Sequence, residues 1–298
     1  MWFRRNGHSE GPALVLSGGG SMGALQAGIL RVLVRRGFRP GRIVGTSVGA
    51  LNGAFLACHP DQSGVDRLAE IWQSLQHERY MRVNPVRLAY RLAARRRYLF
   101  NNDFLLRLVE EHASEDDFAA TQVPLHVTAT NLLTGRKHVF SEGRLSDAVL
   151  ASTAIPGVFC PMEVDGASFV DGGVVANLDL ATAVALGAKE ILAIDLSHCF
   201  ELPEPRNVFG VITRTVDIVM RERVEQDMAA FAGRARITLI QPDVEEGPGV
   251  GDLSHVARLL ERGEAFAEQV YDRCFDARGR LRPGVVSGEV EIPVPTPG

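Results

Sequence analysis

An α/β fold wound around a mainly parallel sheet is the architecture the sequence predicts, and three observations predict it. Short β-branched apolar runs alternate with longer stretches of helical period along the chain. The 298 residues suffice for one large core or two small domains. Hydrophobic residues make up 46% and charged residues 23%, a globular composition that excludes disordered, collagen-like and coiled-coil chains.

The elements follow in order. Ala13-Leu14-Val15-Leu16 is an unbroken apolar run, as expected of a buried strand, and Gly23 to Arg36 follows with helical spacing. Arg42-Ile43-Val44-Gly45 is a second strand, with an apolar helix from Val48 to Cys58 behind it. Helices dominate from Gly64 to His112, with breaks near Asn84-Pro85 and Asn101. Strands return at Leu125 to Thr130 and Lys137 to Phe140, and a short helix follows Leu145. Ser168-Phe169-Val170 is a short strand that ends in a turn; a helix at Leu178 to Leu186 and the strand Glu190 to Asp195 come next. A helix near Val208 to Phe231, a strand at Arg236 to Ile240 and a helix at Leu253 to Cys274 complete the core. No internal repeat and no Gly/Ser linker divides the chain.

Charge and cysteine usage narrow the function class. A net charge of −4 gives no support for nucleic-acid binding. Of the 32 cations, only Lys137 and Lys189 are lysine; arginine suits phosphate contacts, and a codon bias explains the same count. Cys58, Cys160, Cys199 and Cys274 lie far apart, with no CxxC pair and no histidine at metal spacing, so no metal is expected. Free thiols in a reducing compartment fit that pattern. No run of 18 or more apolar residues occurs, and the N-terminal residues lack the features of a signal peptide. The expected location is the cytoplasm.

Two glycine segments carry the chemistry. Gly18-Gly19-Gly20-Ser21-Met22-Gly23 follows the first strand and opens the first helix, formally the GxGxxG of a dinucleotide fold. That fold also wants an acidic residue about 20 positions on, and none stands between Glu10 and Asp61. An NADP-type pocket using Arg39 or Arg42 is the form of this reading that survives. Gly45-Thr46-Ser47-Val48-Gly49 is GxSxG between a strand and a helix, the setting of a nucleophile elbow. Attack by Ser47 on an ester puts charge on the carbonyl oxygen, and backbone N–H groups of a glycine-rich turn can face it. Adjacent parallel strands would bring both turns to one edge of the sheet.

A serine nucleophile needs a base. Asp171-Gly172-Gly173 ends the strand at 168–170, where a carboxylate can reach the site, although such a triplet is most often a hairpin turn. His198 and His255 also follow Asp171 in the chain order Ser, Asp, His of a conventional triad. All three stay candidates on these grounds.

Four blocks then stand in order over about residues 13–187. They are Gly18-Gly19-Gly20 with Gly23, Gly45 to Ala50 around Ser47, Ala151-Ser152 to Pro156 with Phe159 and Pro161, and Asp171-Gly172-Gly173. Together they resemble the patatin-like phospholipase family. The resemblance implies a three-layer α/β/α fold and hydrolysis of acyl esters of phospholipids and related lipids. It also implies a Ser-Asp dyad that uses neither a cofactor nor a histidine. On the matching positions, Ser47 is the nucleophile, Asp171 the base, and Gly18, Gly19, Gly20 and Gly23 form the oxyanion hole. Gly45 and Gly49 flank the elbow, and Gly172 and Gly173 complete the Asp-Gly-Gly motif. Two positions depart from the family pattern: Met22 stands where many members carry Arg or Lys, and Asp179 where they carry Pro. The domain plan is an N-terminal extension at 1–12, the patatin-like catalytic domain at 13–187, its α/β completion at 188–284 and a tail at 285–298. An NADP-type or non-catalytic lipid-binding protein is the alternative.

One stretch bears on substrate access. Arg79, Arg82, Arg87, Arg91, Arg95, Arg96 and Arg97 stand with no Asp or Glu among them after Arg79. Arg87, Arg91 and Arg95 recur every fourth residue and give one cationic helix face, suited to anionic lipid beside the cleft or simply to solvent.

Overall fold

The computed structural model describes residues 11–77, 98, 100–112, 116–197, 208–243 and 252–289. The arginine-rich stretch from Arg79 to Arg97, together with His198 and Cys199, lies outside these residues.

Strand β1 (Ala13–Leu16) leads through a short 3-10 turn at Gly20–Met22 into α1 (Gly23–Arg35). Then come β2 (Arg42–Thr46), α2 (Val48–Cys58), α3 (Gln62–His77) and α4 (Asp103–His112). Strands β3 (Leu125–Asn131) and β4 (Lys137–Phe140), helix α5 (Leu145–Thr153), and strands β5 (Met162–Val164) and β6 (Ala167–Asp171) make the middle of the chain. Short helices α6 (Gly173–Ala176) and α7 (Leu180–Ala185) precede β7 (Glu190–Ile194). The last elements are α8 (Val208–Phe231), β8 (Arg236–Asp243), α9 (Val256–Cys274) and β9 (Gly284–Glu289).

The nine strands among the described residues join one sheet in the order β5-β6-β3-β2-β1-β7-β8-β9, with β4 also paired to β3. Strands β3, β2, β1, β7, β8 and β9 run parallel, whereas β4, β5 and β6 pair antiparallel. The alternation of side chains along each parallel strand divides the core in two. Leu14, Leu16, Ile43, Leu192 and Ile194 point into the larger half, with α1, α2, α3, α5 and α9. Ala13, Val15, Val44, Ile191 and Ala193 point into the smaller half, under α7 and α8. The result is the three-layer α/β/α arrangement.

One expectation changes. Residues 285–289, expected in the tail, form most of β9, which pairs in parallel with β8 from Thr238↔Gly284 to Asp243↔Glu289. The turn after β6 does not close a hairpin: Gly172 caps α6, and the chain continues as helix. Cys58, Cys160 and Cys274 form no disulfide. Among the described residues, no helix is long and apolar enough to cross a membrane, and no cluster of His, Cys, Asp and Glu has the shape of a metal site.

Candidate active site

Register on β3 brings the two halves of the site together. The edge of β3 that faces β2 is paired as far as Thr46↔Thr128. On the opposite edge, β4 runs past the same point through Thr128↔Val139 and Ala129↔His138. Strand β6 pairs from Ala129↔Asp171 onward, so it takes over, antiparallel, the edge that β2 leaves. The C-terminal ends of β2 and β6 therefore meet head to head. The residue after Thr46 is Ser47, and it lies against Asp171.

The contact is direct: Ser47 Oγ donates to Asp171 Oδ2 at 2.5 Å. Both residues are 7% exposed, buried yet within reach of solvent. Asp171 Oδ1 accepts from Gly173 N at 2.7 Å, so each carboxylate oxygen has one donor. Burial raises the carboxyl's pKa to about 6, against the opposing pull of the hydrogen bonds from Ser47 and Gly173. A hydroxyl held by a carboxylate of that basicity can transfer its proton as it attacks an electrophile.

Ser47 sits at φ 54° and ψ −126°, in a region that only glycine visits freely. Such strain costs of order 1–3 kcal/mol and persists only where the surroundings impose it. Here they do. The hairpin-tight passage from β2 into α2 presses Gly49 onto β1, where an added Cβ would lie 2.4 Å from Leu16 O. The N-terminal end of α2 consequently points its dipole at the Ser47 side chain.

The glycine loop closes over the same point. A Cβ at Gly18 would stand 2.9 Å from Ser47 Cβ and 2.6 Å from Asn177 Oδ1, so no side chain fits there. Gly18 N donates to Asn177 O at 3.3 Å, and Gly23 N bonds to the carbonyls of Gly20 and Ser21. Among the described residues, Gly19 and Gly20, at the start of the 3-10 turn, show no such use of their N–H groups. A buried polar network fixes this loop to the nucleophile's helix. Gln26 Nε2 donates to Ser17 O at 3.3 Å, Asn52 Nδ2 donates to Gly23 O and Gln26 Oε1 at 2.9 and 3.0 Å, and Trp72 Nε1 donates to Asn52 Oδ1 at 2.9 Å. Networks of this kind rigidify when every member is paired.

Of the two histidine candidates, His255 plays no part in this contact, and His198 lies outside the described residues. His255 caps α9, half exposed, and stands 4.0 Å from Asp252. No histidine bonds Ser47 or Asp171 among the described residues. The dinucleotide reading also loses its cations. Arg39 bonds to the carbonyls of Val34 and Phe38, and Arg42, at the N-terminal start of β2, to that of Leu186. They lie at the other end of the strands from Gly18–Gly23. The two departures from the family pattern have local explanations. Met22 is 1% exposed and packs in the larger core. Asp179 caps α7 through Thr182 N and receives Lys137 Nζ at 2.7 Å and Thr128 Oγ1 at 2.8 Å, a buried carboxylate with its acceptor sites filled. Three residues at the site carry no role in the sequence reading: Ser152, Thr128 and Asn177.

The sequence model of the patatin-like phospholipase family matches residues 14–184, more than half of the chain. The chain belongs to that family. An uncharacterized NTE family protein of Mycobacterium tuberculosis is 31% identical over 193 residues, 65% of this chain and 51% of that protein. The patatin-like phospholipase domain-containing protein 7 of Rattus norvegicus is 31% identical over 62% of this chain and 13% of its own length. Lysophospholipase NTE1 of Mycosarcoma maydis is 27% identical over 61% and 9%. This patatin-like chain thus spans about half the length of the mycobacterial protein, and much less of the other two. Among solved structures, VipD from Legionella pneumophila is similar at 16% identity, covering 85% of this chain and 67% of that one with a TM-score of 0.42.

Proposed function

We propose that the protein is a serine acyl hydrolase that cleaves carboxylic ester bonds of phospholipids or related lipids, with Ser47 as nucleophile and Asp171 as its only base. The 2.5 Å hydrogen bond from Ser47 Oγ to a carboxylate, without a histidine between them, carries this reading. Family membership and the names of its relatives, a lysophospholipase and a phospholipase domain protein, support the lipid class.

In the proposed reaction, Ser47 Oγ forms a bond to the ester carbonyl carbon as its proton passes to Asp171 Oδ2. The tetrahedral oxyanion is received by the N–H groups of Gly19 and Gly20, and Gly18 and Gly23 shape the space beside them. Collapse breaks the ester C–O bond, and the leaving alcohol takes the proton from Asp171. Water then attacks the acyl-serine, gives its proton to Asp171, and releases the acid as Ser47 regains its hydrogen. No metal is required at any step. Covalent labelling by a fluorophosphonate, together with hydrolysis of a panel of phospholipids and lysophospholipids, tests the reading. A wild-type protein that neither labels nor hydrolyses any of them would refute it.

Exposed aliphatic side chains crowd the same end of the sheet. Leu133, 81% exposed, is in the turn after β3; Val174 follows Gly173; Ile218 and Val219 lie on α8, whose Met220 abuts Gly173. An apolar rim suits a lipid substrate. For contact with anionic membrane we propose Arg87, Arg91 and Arg95, on the sequence argument above. At about 1 kcal/mol per Arg near an anionic surface, changing all three to Gln should weaken vesicle binding roughly a hundredfold at low salt. Turnover of a short soluble ester should not change. Equal sedimentation of wild type and mutant with anionic vesicles at low salt would remove this surface from the reading.

A further inference from the structure

We propose that Ser152 is a positioning residue for the dyad: its hydroxyl, braced on Thr128, fixes the peptide N–H of Ser47 and with it the approach of Ser47 Oγ to Asp171. The inference rests on the hydrolase reading and extends it to a residue outside the reacting pair.

The last turn of α5 touches both halves of the dyad. Ser152 Oγ accepts from Ser47 N at 2.8 Å and donates to Thr128 O at 2.7 Å. Two residues on, Ala154 O accepts from Asp171 N at 2.9 Å, and Ser152 O accepts from Gly172 N at 3.4 Å. One short segment thus holds the backbone of the nucleophile and the backbone of the base, and so sets the distance between them. Strands β2 and β6 only meet end to end on β3; no hydrogen-bonded ladder joins them to each other.

The direction of the two Ser152 bonds is forced. A carbonyl oxygen can only accept and a peptide N–H can only donate, so the hydroxyl proton goes to Thr128 and a lone pair faces Ser47. Ser152 is fully buried, so no water replaces either partner. Its anchor is firm in turn. Thr128 lies in the middle of the sheet, and its own hydroxyl donates to Asp179, which Lys137 and Thr182 hold. The bond falls on the residue whose backbone sits at φ 54°, where an outside restraint is needed most. Without it, Ser47 is free to relax toward an ordinary conformation, and its Oγ turns away from Asp171.

Ser152→Ala is the direct test, and Thr153→Val is its matched control. Thr153 is buried on the same turn, but its hydroxyl bonds only to the Val149 and Leu150 carbonyls of its own helix. With the full chain and a soluble ester, Ser152→Ala should lower kcat roughly 10- to 100-fold, the size of loss that a misplacement near 1 Å produces. KM should stay within about twofold, and fluorophosphonate labelling should slow in parallel. The acid limb of the pH profile should move upward, because the Ser47 hydrogen bond is one of the contacts holding the Asp171 carboxyl down. Thr153→Val should keep wild-type kcat and an unmoved limb. Ser152→Thr, which keeps the hydroxyl, should recover part of the loss. Wild-type kcat and pH profile in a folded Ser152→Ala protein would overturn the inference. So would equal losses in Ser152→Ala and Thr153→Val. Labelling that survives Ser47→Ala would instead take the nucleophile away from Ser47, and this inference with it, whereas a wild type that neither labels nor hydrolyses would overturn the hydrolase reading itself.

Discussion

Ser47→Ala should abolish ester hydrolysis and fluorophosphonate labelling while the protein stays folded. The expected loss is on the order of 10⁴- to 10⁶-fold, as when a serine nucleophile is removed from a unit that acts together. Folding should survive because the Ser47 side chain caps nothing: helix α2 starts from the Ser47 carbonyl, which accepts from Ala50 and Leu51. The peptide N–H that Ser152 holds is also unchanged by the substitution. Ser47→Gly should be equally inactive yet more stable than Ser47→Ala, by about 1 kcal/mol or more, because glycine occupies φ 54° without strain. Equal thermal midpoints for the two variants would mean that the elbow holds no strain. Retained labelling at a different serine would take the nucleophile away from Ser47.

Much of this was legible in the sequence, and the reason is local. Strands β1, β2 and β7 are apolar on both faces because helices cover both faces, so they read as unbroken runs. The glycine loop and the GxSxG turn each sit between one such run and a helix, which gives their motifs a context. What stayed hidden depends on register or on backbone partners. On the residue pattern alone the base stays open among Asp171, His198 and His255, and only the family resemblance points to Asp171, since it is the replacement of β2 by β6 along β3 that puts Asp171 beside Ser47. Ser152 stood in a recognisable block, yet its partners are a peptide N–H and a carbonyl, which leave no pattern in side chains. Strand β9 was missed because it is an edge strand with glycine at both Gly284 and Gly288 and with Val285 facing solvent. Strand β5 has only three residues, and the middle one is the exposed Glu163.

Asp171→Asn should lower turnover of a soluble ester by roughly 10²- to 10⁴-fold, the range that a general base contributes. The amide keeps the shape of the carboxyl but has no lone pair basic enough to take the proton from Ser47. His255→Ala should leave activity intact, because that side chain bonds neither member of the dyad. If His255→Ala were as inactive as Asp171→Asn, a histidine triad would replace the dyad. The wild-type pH profile should carry the same information. With the carboxyl raised to about 6 by burial, kcat/KM should fall about tenfold per pH unit below that point and level off above it. Stability should run in the opposite sense. A carboxyl whose pKa is higher in the folded protein than in the unfolded chain binds more protons when folded between about pH 4 and 6. Its contribution to stability is therefore fully present at low pH and is lost as pH rises through about 6. A shift from 3.8 to about 6 corresponds to about 3 kcal/mol. Asn is neutral throughout, so Asp171→Asn should be the more stable protein at pH 8, by up to about that amount, and the gap should close toward pH 4. Denaturant unfolding of both proteins at the two pH values measures it. A mutant that is inactive but less stable than wild type at pH 8 would show that the carboxylate is held by its hydrogen bonds more tightly than burial opposes it. Its pKa would then lie below the ordinary range, and the acid limb of activity would move down with it.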